Sequence, residues 1–173
     1  MKTTEKPVIV QQLFNTSKET VWAAITELPQ MKKWFFENIP DFQPEIGFST
    51  RFVVRNGDRV FPHLWAITEV IPLKKISYEW KYEGYSGDSL VTFELIGQKE
   101  KTRLILTHRV LESFPDDIPE FSRKNCIGGW EYFINQQLKD FIMNTNWLSF
   151  GAIHKIYKIC DLIRAKLAQE WRD

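Results

Sequence analysis

The middle of the chain alternates between apolar and polar residues with the two-residue period of a half-buried β-strand. Ile76, Tyr78 and Trp80, for example, fall on one face of such a segment. Short turns separate the segments, among them Asn56-Gly57, a strong hairpin dipeptide. The pattern predicts strands at 8–14, 48–54, 60–71, 76–82, 89–96 and 102–110. Because short turns join the last five, we expect an antiparallel meander.

Between the first two predicted strands the period changes to that of an amphipathic helix. The apolar face of this helix consists of Val21, Trp22, Ile25 and Leu28. Either Thr16 or Ser17 can cap the N-terminus, because each hydroxyl can accept a hydrogen bond from the first turn. Pro29 is predicted to end the helix, and a short second helix is predicted over 31–35.

A longer helix is predicted from the end of the loop around Pro119 to about residue 143. Its apolar stripe has steps of three or four residues, at Ile127, Trp130, Ile134, Leu138 and Phe141, and Phe133 widens it. We expect Gly128 and Gly129 to let this helix approach the sheet closely, so that Gly129→Leu would destabilise the fold. The elements together predict an α+β fold: a curved antiparallel six-strand sheet wrapped around a long C-terminal helix.

Residues 144–173 follow this helix and again place apolar residues at helical spacing, with Lys155, Lys158 and Arg164 interspersed. The pattern predicts an additional C-terminal amphipathic helix. Such a helix could pack on its own domain, pair with a second copy as a homodimer, or lie on a membrane. We favour packing on the same domain, since most helical stability comes from tertiary contacts. The expected division is a domain at 1–143 and an extension at 144–173.

Composition narrows the classes of protein that this chain can represent. Its 173 residues suit one domain, and 43% hydrophobic with 26% charged residues is typical of a globular fold. The net charge of +1 gives no reason to expect a nucleic-acid partner. We find no apolar run long enough for a membrane span and no signal-peptide pattern, and we therefore expect a cytoplasmic location. Cys126 and Cys160 are expected to be free thiols.

Large aromatic residues are the first candidates for a binding site, because 14% of the chain is Phe, Trp or Tyr. They either fill the core or form the apolar wall of a ligand pocket. For any single ring we favour the core, and for the set we expect that some line a cavity. The candidate ligand-binding set is Trp34, Phe35, Phe52, Trp65, Trp80, Phe93, Trp130 and Phe133, together with His108.

His108 is predicted on the apolar face of its strand. It could anchor a ligand or donate a proton, but a core histidine with one hydrogen bond is the simpler interpretation. Cys126 near a helix N-terminus could carry a thiol of lowered pKa, and a small core residue is again simpler. The histidines are too widely spaced for a metal motif, and we expect no metal, no cofactor and no assigned catalytic residue.

Several stretches together resemble the activator of heat shock protein 90 ATPase homologue family. They are Val21-Trp22 with Trp34-Phe35, Pro44 to Phe48, Glu69 to Trp80, Val91 to Leu95, Thr102 to His108, and Gly128-Gly129-Trp130 with Leu138. Each stretch is weak alone, but their order over residues 8–142 is fairly specific. The wider group is START-like and polyketide-cyclase-like. The resemblance is to the C-terminal domain of the eukaryotic cochaperone and not to its separate N-terminal domain.

The resemblance implies a helix-grip fold with an apolar cavity between sheet and long helix. Our first functional hypothesis is therefore non-catalytic binding of a small hydrophobic or lipid-like ligand. A second hypothesis is cochaperone-like stimulation of the heat shock protein 90 ATPase through surface contacts with that chaperone partner. A third is a cyclase- or hydrolase-type enzyme that uses His108, which would need a second polar group within hydrogen-bonding reach.

Overall fold

The computed structural model describes residues 1–144, in which one antiparallel sheet of six strands packs against helices on its concave face. The strands are β1 (Val8–Phe14), β2 (Ser49–Asn56), β3 (Arg59–Ile71), β4 (Lys75–Tyr82), β5 (Asp88–Gln98) and β6 (Lys101–Glu112). Their order in the sheet is β1-β6-β5-β4-β3-β2. The predicted meander is thus confirmed, and β1 extends it by pairing with β6.

Helices connect β1 to β2 and follow β6. They are α1 (Lys18–Thr26), α2 (Leu28–Trp34), a 3₁₀ turn (Pro119–Phe121), α3 (Arg123–Glu131) and a π-helical segment (Tyr132–Leu138) that continues as α-helix over 139–144. The predicted α+β helix-grip fold is confirmed. Within residues 1–144 no helix has the length and apolar character needed to cross a membrane. The predicted C-terminal amphipathic helix, with His154 and Cys160, lies outside the described residues.

The start of α1 and the position of Pro29 refine the sequence interpretation. Ser17, rather than Thr16, is the N-cap, and its hydroxyl accepts a hydrogen bond from the backbone N–H of Thr20. The prediction that Pro29 ends this helix was wrong, since α1 ends at Thr26 and Pro29 lies in the first turn of α2. A proline is well tolerated there, because the first backbone N–H groups of a helix have no intrahelical acceptor.

The long C-terminal helix differs from the prediction by its π-helical segment. Trp130, Ile134, Leu138 and Ile142 are all buried and follow one another at steps of four residues. In an α-helix, four residues turn about 40° beyond one full turn, so such a stripe would gradually rotate away from the sheet. A wider turn, with hydrogen bonds from i to i+5, reverses this rotation and keeps all four side chains against the core.

The expected close approach at Gly128 and Gly129 was wrong. A Cβ atom built on either residue would meet no heavy atom within 4 Å, apart from its neighbours and its own helix backbone. The close approach occurs instead at Gly87, where the same atom would collide with the ring of Phe114, and the φ of +111° there also favours glycine. The absent side chain of Gly129 therefore leaves open space beside α3 rather than a tight helix–sheet contact.

Candidate functional site

A cavity of about 150 Å³ lies between the concave face of the sheet and α3. Six aromatic side chains form most of its wall: Phe36, Trp80, Tyr82, Phe121, Trp130 and Phe133. The other lining residues are Met1, His63, His108, Glu120, Asn125, Cys126 and Gly129. Asn125 is exposed and Gly129 is half-buried, which places the opening of the cavity along the first turns of α3.

The helical side of the cavity follows from the spacing of residues on α3. Ser122 caps this helix by accepting a hydrogen bond from the backbone N–H of Asn125. Cys126, Gly129 and Trp130 are then separated by the three or four residues that place side chains on one helix face. Between two larger residues on this face, Gly129 contributes no side chain and so leaves room for the cavity.

The sheet side of the cavity follows from the register of the paired strands. His63 on β3 lies opposite Tyr82 on β4, and their ring centroids are 4.7 Å apart. Trp80 lies two residues before Tyr82 and therefore points to the same face of the sheet. His108 on β6 completes this wall, and its ring centroid is 6.3 Å from that of Trp80.

The hydrogen bonds of His108 fix its tautomer. The indole N–H of Trp130 donates to Nδ1 of His108 at 2.9 Å. Because an indole can only donate, Nδ1 must be the unprotonated acceptor and the ring proton resides on Nε2. This Nε2–H group is buried and has no hydrogen-bond partner among residues 1–144.

His63 has the opposite tautomer. Its Nδ1 lies 2.9 Å from the carbonyl oxygen of Phe61, which can only accept, so Nδ1 carries the proton. Burial lowers the pKa of His63 to about 4, although the bond to Phe61 opposes this shift. Burial also lowers the pKa of His108 to about 4, and the nearby N-terminal amino group adds to that effect. Both imidazoles are therefore neutral at pH 7.

Cys126 is a protonated thiol at neutral pH. Burial raises its pKa to about 12, and this outweighs the opposing influences of Arg123 and the N-terminal amino group. Its Sγ lies 3.6 Å from Nδ1 of His108. The structure therefore favours the interpretation of Cys126 as a small, half-buried residue packed against the core over that of a thiol activated by a helix N-terminus.

The structure divides the predicted site residues into two groups. Trp80, His108, Trp130 and Phe133 line the cavity. The remaining residues are buried in the core: Trp34, Phe35, Phe52, Trp65 and Phe93. Phe35 packs behind the cavity wall, with its ring centroid 4.8 Å from that of Phe133. The indole N–H of Trp34 donates to the carbonyl oxygen of Ala24 at 2.8 Å, which fixes α2 against α1.

Several lining residues were absent from the sequence prediction. His63 and Tyr82 lie on the inner face of their strands by simple alternation, and this signal could have identified them. Phe121 and Gly129 carried no comparable signal, because their place in the wall depends on how the 3₁₀ turn and α3 meet the sheet. Within residues 1–144, no group of three or more His, Cys, Asp or Glu side chains is arranged to hold a metal ion.

Comparison with known proteins gives matches to structures and to one family model. Protein CV1439 from Chromobacterium violaceum has a TM-score of 0.63 at 18% identity, covering 79% of this chain and 96% of that one. The Aha1 dimer from Colwellia psychrerythraea has a TM-score of 0.62 at 20% identity, covering 80% and 96%. CalU16 from Micromonospora echinospora has a TM-score of 0.57 at 24% identity, covering 78% and 74%.

These structural similarities show a shared fold. A search among curated proteins found no significant match. The model of the family described as "Activator of Hsp90 ATPase homolog 1-like protein" matches residues 15–142, a range that includes α1 and most of the cavity wall. Because this match spans most of the chain, the protein belongs to the activator of Hsp90 ATPase homologue family.

Proposed function

We propose that this protein binds a small apolar molecule, without catalysis, in the cavity between the sheet and α3. The observation that carries the proposal is the wall itself, in which six aromatic side chains surround an opening beside Gly129. Ligand pockets are mostly apolar and contain a few polar groups that fix orientation. Family membership supports the same proposal, since its fold is typical of ligand-binding domains.

The volume of the cavity limits the size of the ligand. A volume of about 150 Å³ is comparable to that of an engineered apolar cavity that binds benzene. We therefore expect a compound built on a single ring, or one end of a longer lipid-like molecule whose remainder leaves through the opening near Asn125. The rings that line the cavity would contact such a compound by stacking and edge-to-face packing.

The ionisation of the polar wall residues supports binding rather than acid–base chemistry. His63 and His108 are neutral at pH 7 because burial lowers the pKa of each to about 4. The thiol of Cys126 remains protonated, since its pKa is raised to about 12. The polar groups within reach of Nδ1 of His108 are the indole of Trp130 and this thiol, and neither takes up or releases a proton near pH 7. We therefore do not propose the enzymatic hypothesis.

A matched pair of glycine variants tests the proposal. Gly129 lines the cavity, whereas its neighbour Gly128 is exposed and lies outside it. At neither position would a Cβ atom meet a heavy atom within 4 Å, so a side chain can begin at both without a collision. We expect Gly129→Leu to fill the cavity and Gly128→Leu to leave it open.

Native mass spectrometry followed by organic extraction is the corresponding measurement. The expected result is an apolar compound that co-purifies with the wild-type protein and Gly128→Leu but is lost from Gly129→Leu. Equal retention of the compound by Gly129→Leu would contradict the proposed location. If all three proteins purify empty, the same samples are titrated with toluene, and failure of the wild type to bind it would count against a ring-sized apolar site.

A second candidate function is contact with a chaperone, because the family is described by activation of the Hsp90 ATPase. This function would depend on the protein surface and not on the cavity. Measuring ATP hydrolysis by purified Hsp90 with and without the full chain tests it. Stimulation that is equal for wild type and Gly129→Leu would support a surface function, whereas unchanged hydrolysis would count against it.

Homodimer formation is a further proposal about partners. The Colwellia psychrerythraea structure is described as a dimer, and pairing through the C-terminal helix predicted at 144–173 is the alternative to its packing on the same domain. Light scattering coupled to size-exclusion chromatography of the full chain distinguishes a molar mass near 20.5 kDa from twice that value. A monomer at all concentrations tested would contradict pairing.

A further inference from the structure

We infer that the ligand presents a carbonyl oxygen to the Nε2–H group of His108, an inference that rests on the proposed binding function. His108 is 5% exposed and lines the cavity. Its other ring nitrogen is already used, since Nδ1 accepts the indole N–H of Trp130 at 2.9 Å. The protein therefore holds a donor of fixed tautomer at the cavity wall and supplies no acceptor for it within residues 1–144.

An unpaired buried donor is costly, and native proteins pair more than nine in ten of their buried polar groups. The Nε2 atom has almost no accessible surface, so a ligand oxygen reaches it only when the neighbouring side chains of the wall shift to admit the ligand. A ligand oxygen that accepts a hydrogen bond from Nε2–H would remove the energetic penalty of this unpaired donor. The cavity should consequently discriminate between ligands of equal shape that do and do not carry an acceptor.

The other groups at the cavity favour an uncharged acceptor. His108 is neutral at pH 7 and offers a hydrogen bond rather than an ion pair. The carboxylate of Glu120 also borders the cavity and would repel an anion there, although it pairs with Arg59 at 2.8 Å. The N-terminal amino group of Met1 is engaged with the carbonyl oxygen of Phe121 at 2.6 Å. An uncharged carbonyl on a ring-sized apolar body fits this combination.

Acetophenone and α-methylstyrene form a suitable probe pair, because they differ only in replacement of the carbonyl oxygen by a methylene group. Their affinities are measured by calorimetry for the wild-type full chain and for a double variant, His108→Phe/Trp130→Phe. Replacing both hydrogen-bond partners removes the donor without leaving the indole of Trp130 unpaired. The comparison of two ligands in two proteins also cancels the difference in hydrophobicity between the ligands.

We expect the ratio of ketone to alkene affinity to be about fivefold higher in the wild type than in the double variant, the factor typical of one net hydrogen bond. Equal ratios in two proteins that both bind would overturn the inference and leave the proposed binding function intact. Binding of neither probe to the wild type would overturn the inference and the ring-sized cavity proposal together.

Nitrogen-15 NMR of the wild-type histidines gives a readout that does not depend on the variant folding. The expected spectrum shows His108 protonated at Nε2, with that resonance moved by acetophenone and much less by α-methylstyrene. A His108 signal protonated at Nδ1, or equal shifts with both probes, would contradict the assignment of Nε2–H as the recognition group.

Discussion

The two ends of one helix–sheet interface differ in how completely they are packed and satisfied. At the C-terminal end, Ile134, Leu138 and Ile142 are at most 2% exposed and belong to the main apolar core. At the N-terminal end, the same helical surface presents Cys126 and Gly129 to a cavity bordered by two histidines. The second end contains open space, and among the described residues two buried donors that border it, Nε2 of His108 and Nε1 of Trp80, have no partner.

This difference indicates that the two ends of the helix contribute differently, the C-terminal end to stability and the N-terminal end to the proposed binding site. Close packing of apolar side chains stabilises a fold but leaves nothing for a ligand to add. The N-terminal end instead keeps unfilled volume and a buried donor without a partner, features that reduce stability and that a bound ligand would relieve under the proposed function. The following experiments test this contrast, in order of decreasing effect.

The largest expected effect is the loss of stability on acidification. Each histidine has a pKa of about 4 in the folded protein, below the ordinary value of 6.5. Between these values the unfolded chain binds more protons, so the free energy of unfolding falls as the pH decreases. From pH 6.5 to 4.5 we expect a loss of about 2–3 kcal/mol for each histidine. Chemical denaturation at several pH values measures it.

The pH window separates this effect from that of surface carboxylates. Glu69 and Glu83 have lowered pKa values because they accept hydrogen bonds from Lys75 and Arg51, respectively, so their contribution is lost only below about their ordinary value of 4.5. His108→Phe/Trp130→Phe should show about half of the wild-type dependence between pH 6.5 and 4.5. An unchanged dependence in this variant would contradict the assignment to buried neutral histidines.

Shortening a buried side chain at the closely packed C-terminal end of the interface should produce the next largest effect. Leu138→Ala removes methyl groups from a fully buried site, and we expect a loss of about 2–5 kcal/mol in unfolding free energy. Met143, on the same helix but 53% exposed, provides the control, and Met143→Ala should be nearly neutral. A cost for Leu138→Ala as small as that of the control would show that this end is not tightly packed.

Removing only the acceptor of the His108–Trp130 hydrogen bond tests the N-terminal end of the helix–sheet interface. His108→Phe leaves the indole N–H of Trp130 buried without its acceptor, which should cost about 1–3 kcal/mol. His108→Phe/Trp130→Phe should recover part of this loss, since no donor remains unpaired. The single variant Trp130→Phe completes the cycle, and a loss in the double variant equal to the sum of the two single losses would show that the bond contributes no coupling energy.

The smallest expected effect is a gain in stability at Gly129. Alanine stabilises a helix interior by up to about 1 kcal/mol relative to glycine, and no heavy atom lies within 4 Å to oppose the added Cβ. Gly128→Ala should give a similar gain. Thermal melting of both variants measures this effect. A lower melting temperature for Gly129→Ala alone would contradict the open space beside Gly129 and would favour a close helix–sheet contact there.

The sequence predicted the sheet well because alternation and turn residues are local signals. Ile76, Tyr78 and Trp80, for example, share the buried face that their spacing indicated. It also placed His108 on the inner face of its strand. The role of Gly129 was predicted wrongly, because a missing side chain can serve either a close contact or a cavity, and only the packing of other elements decides between them.

Two other features could not be predicted for physical reasons. The π-helical turn at Tyr132–Leu138 depends on the curvature of the sheet that the stripe must follow. The tautomer of His108 depends on a partner 22 positions away in the chain, whose indole reaches Nδ1 only after the helix docks. Both are consequences of tertiary packing rather than of local sequence pattern.

The most direct test of the central claim is a titration of acetophenone into ¹⁵N-labelled protein, observed at the tryptophan indole signals. Trp80 and Trp130 line the cavity, whereas Trp34 lies in the core and donates to Ala24. We predict saturable shifts for the first two signals and none for Trp34, in the wild type and in Gly128→Leu but not in Gly129→Leu. Absence of saturable shifts, or identical shifts in Gly129→Leu, would contradict a ligand site beneath α3.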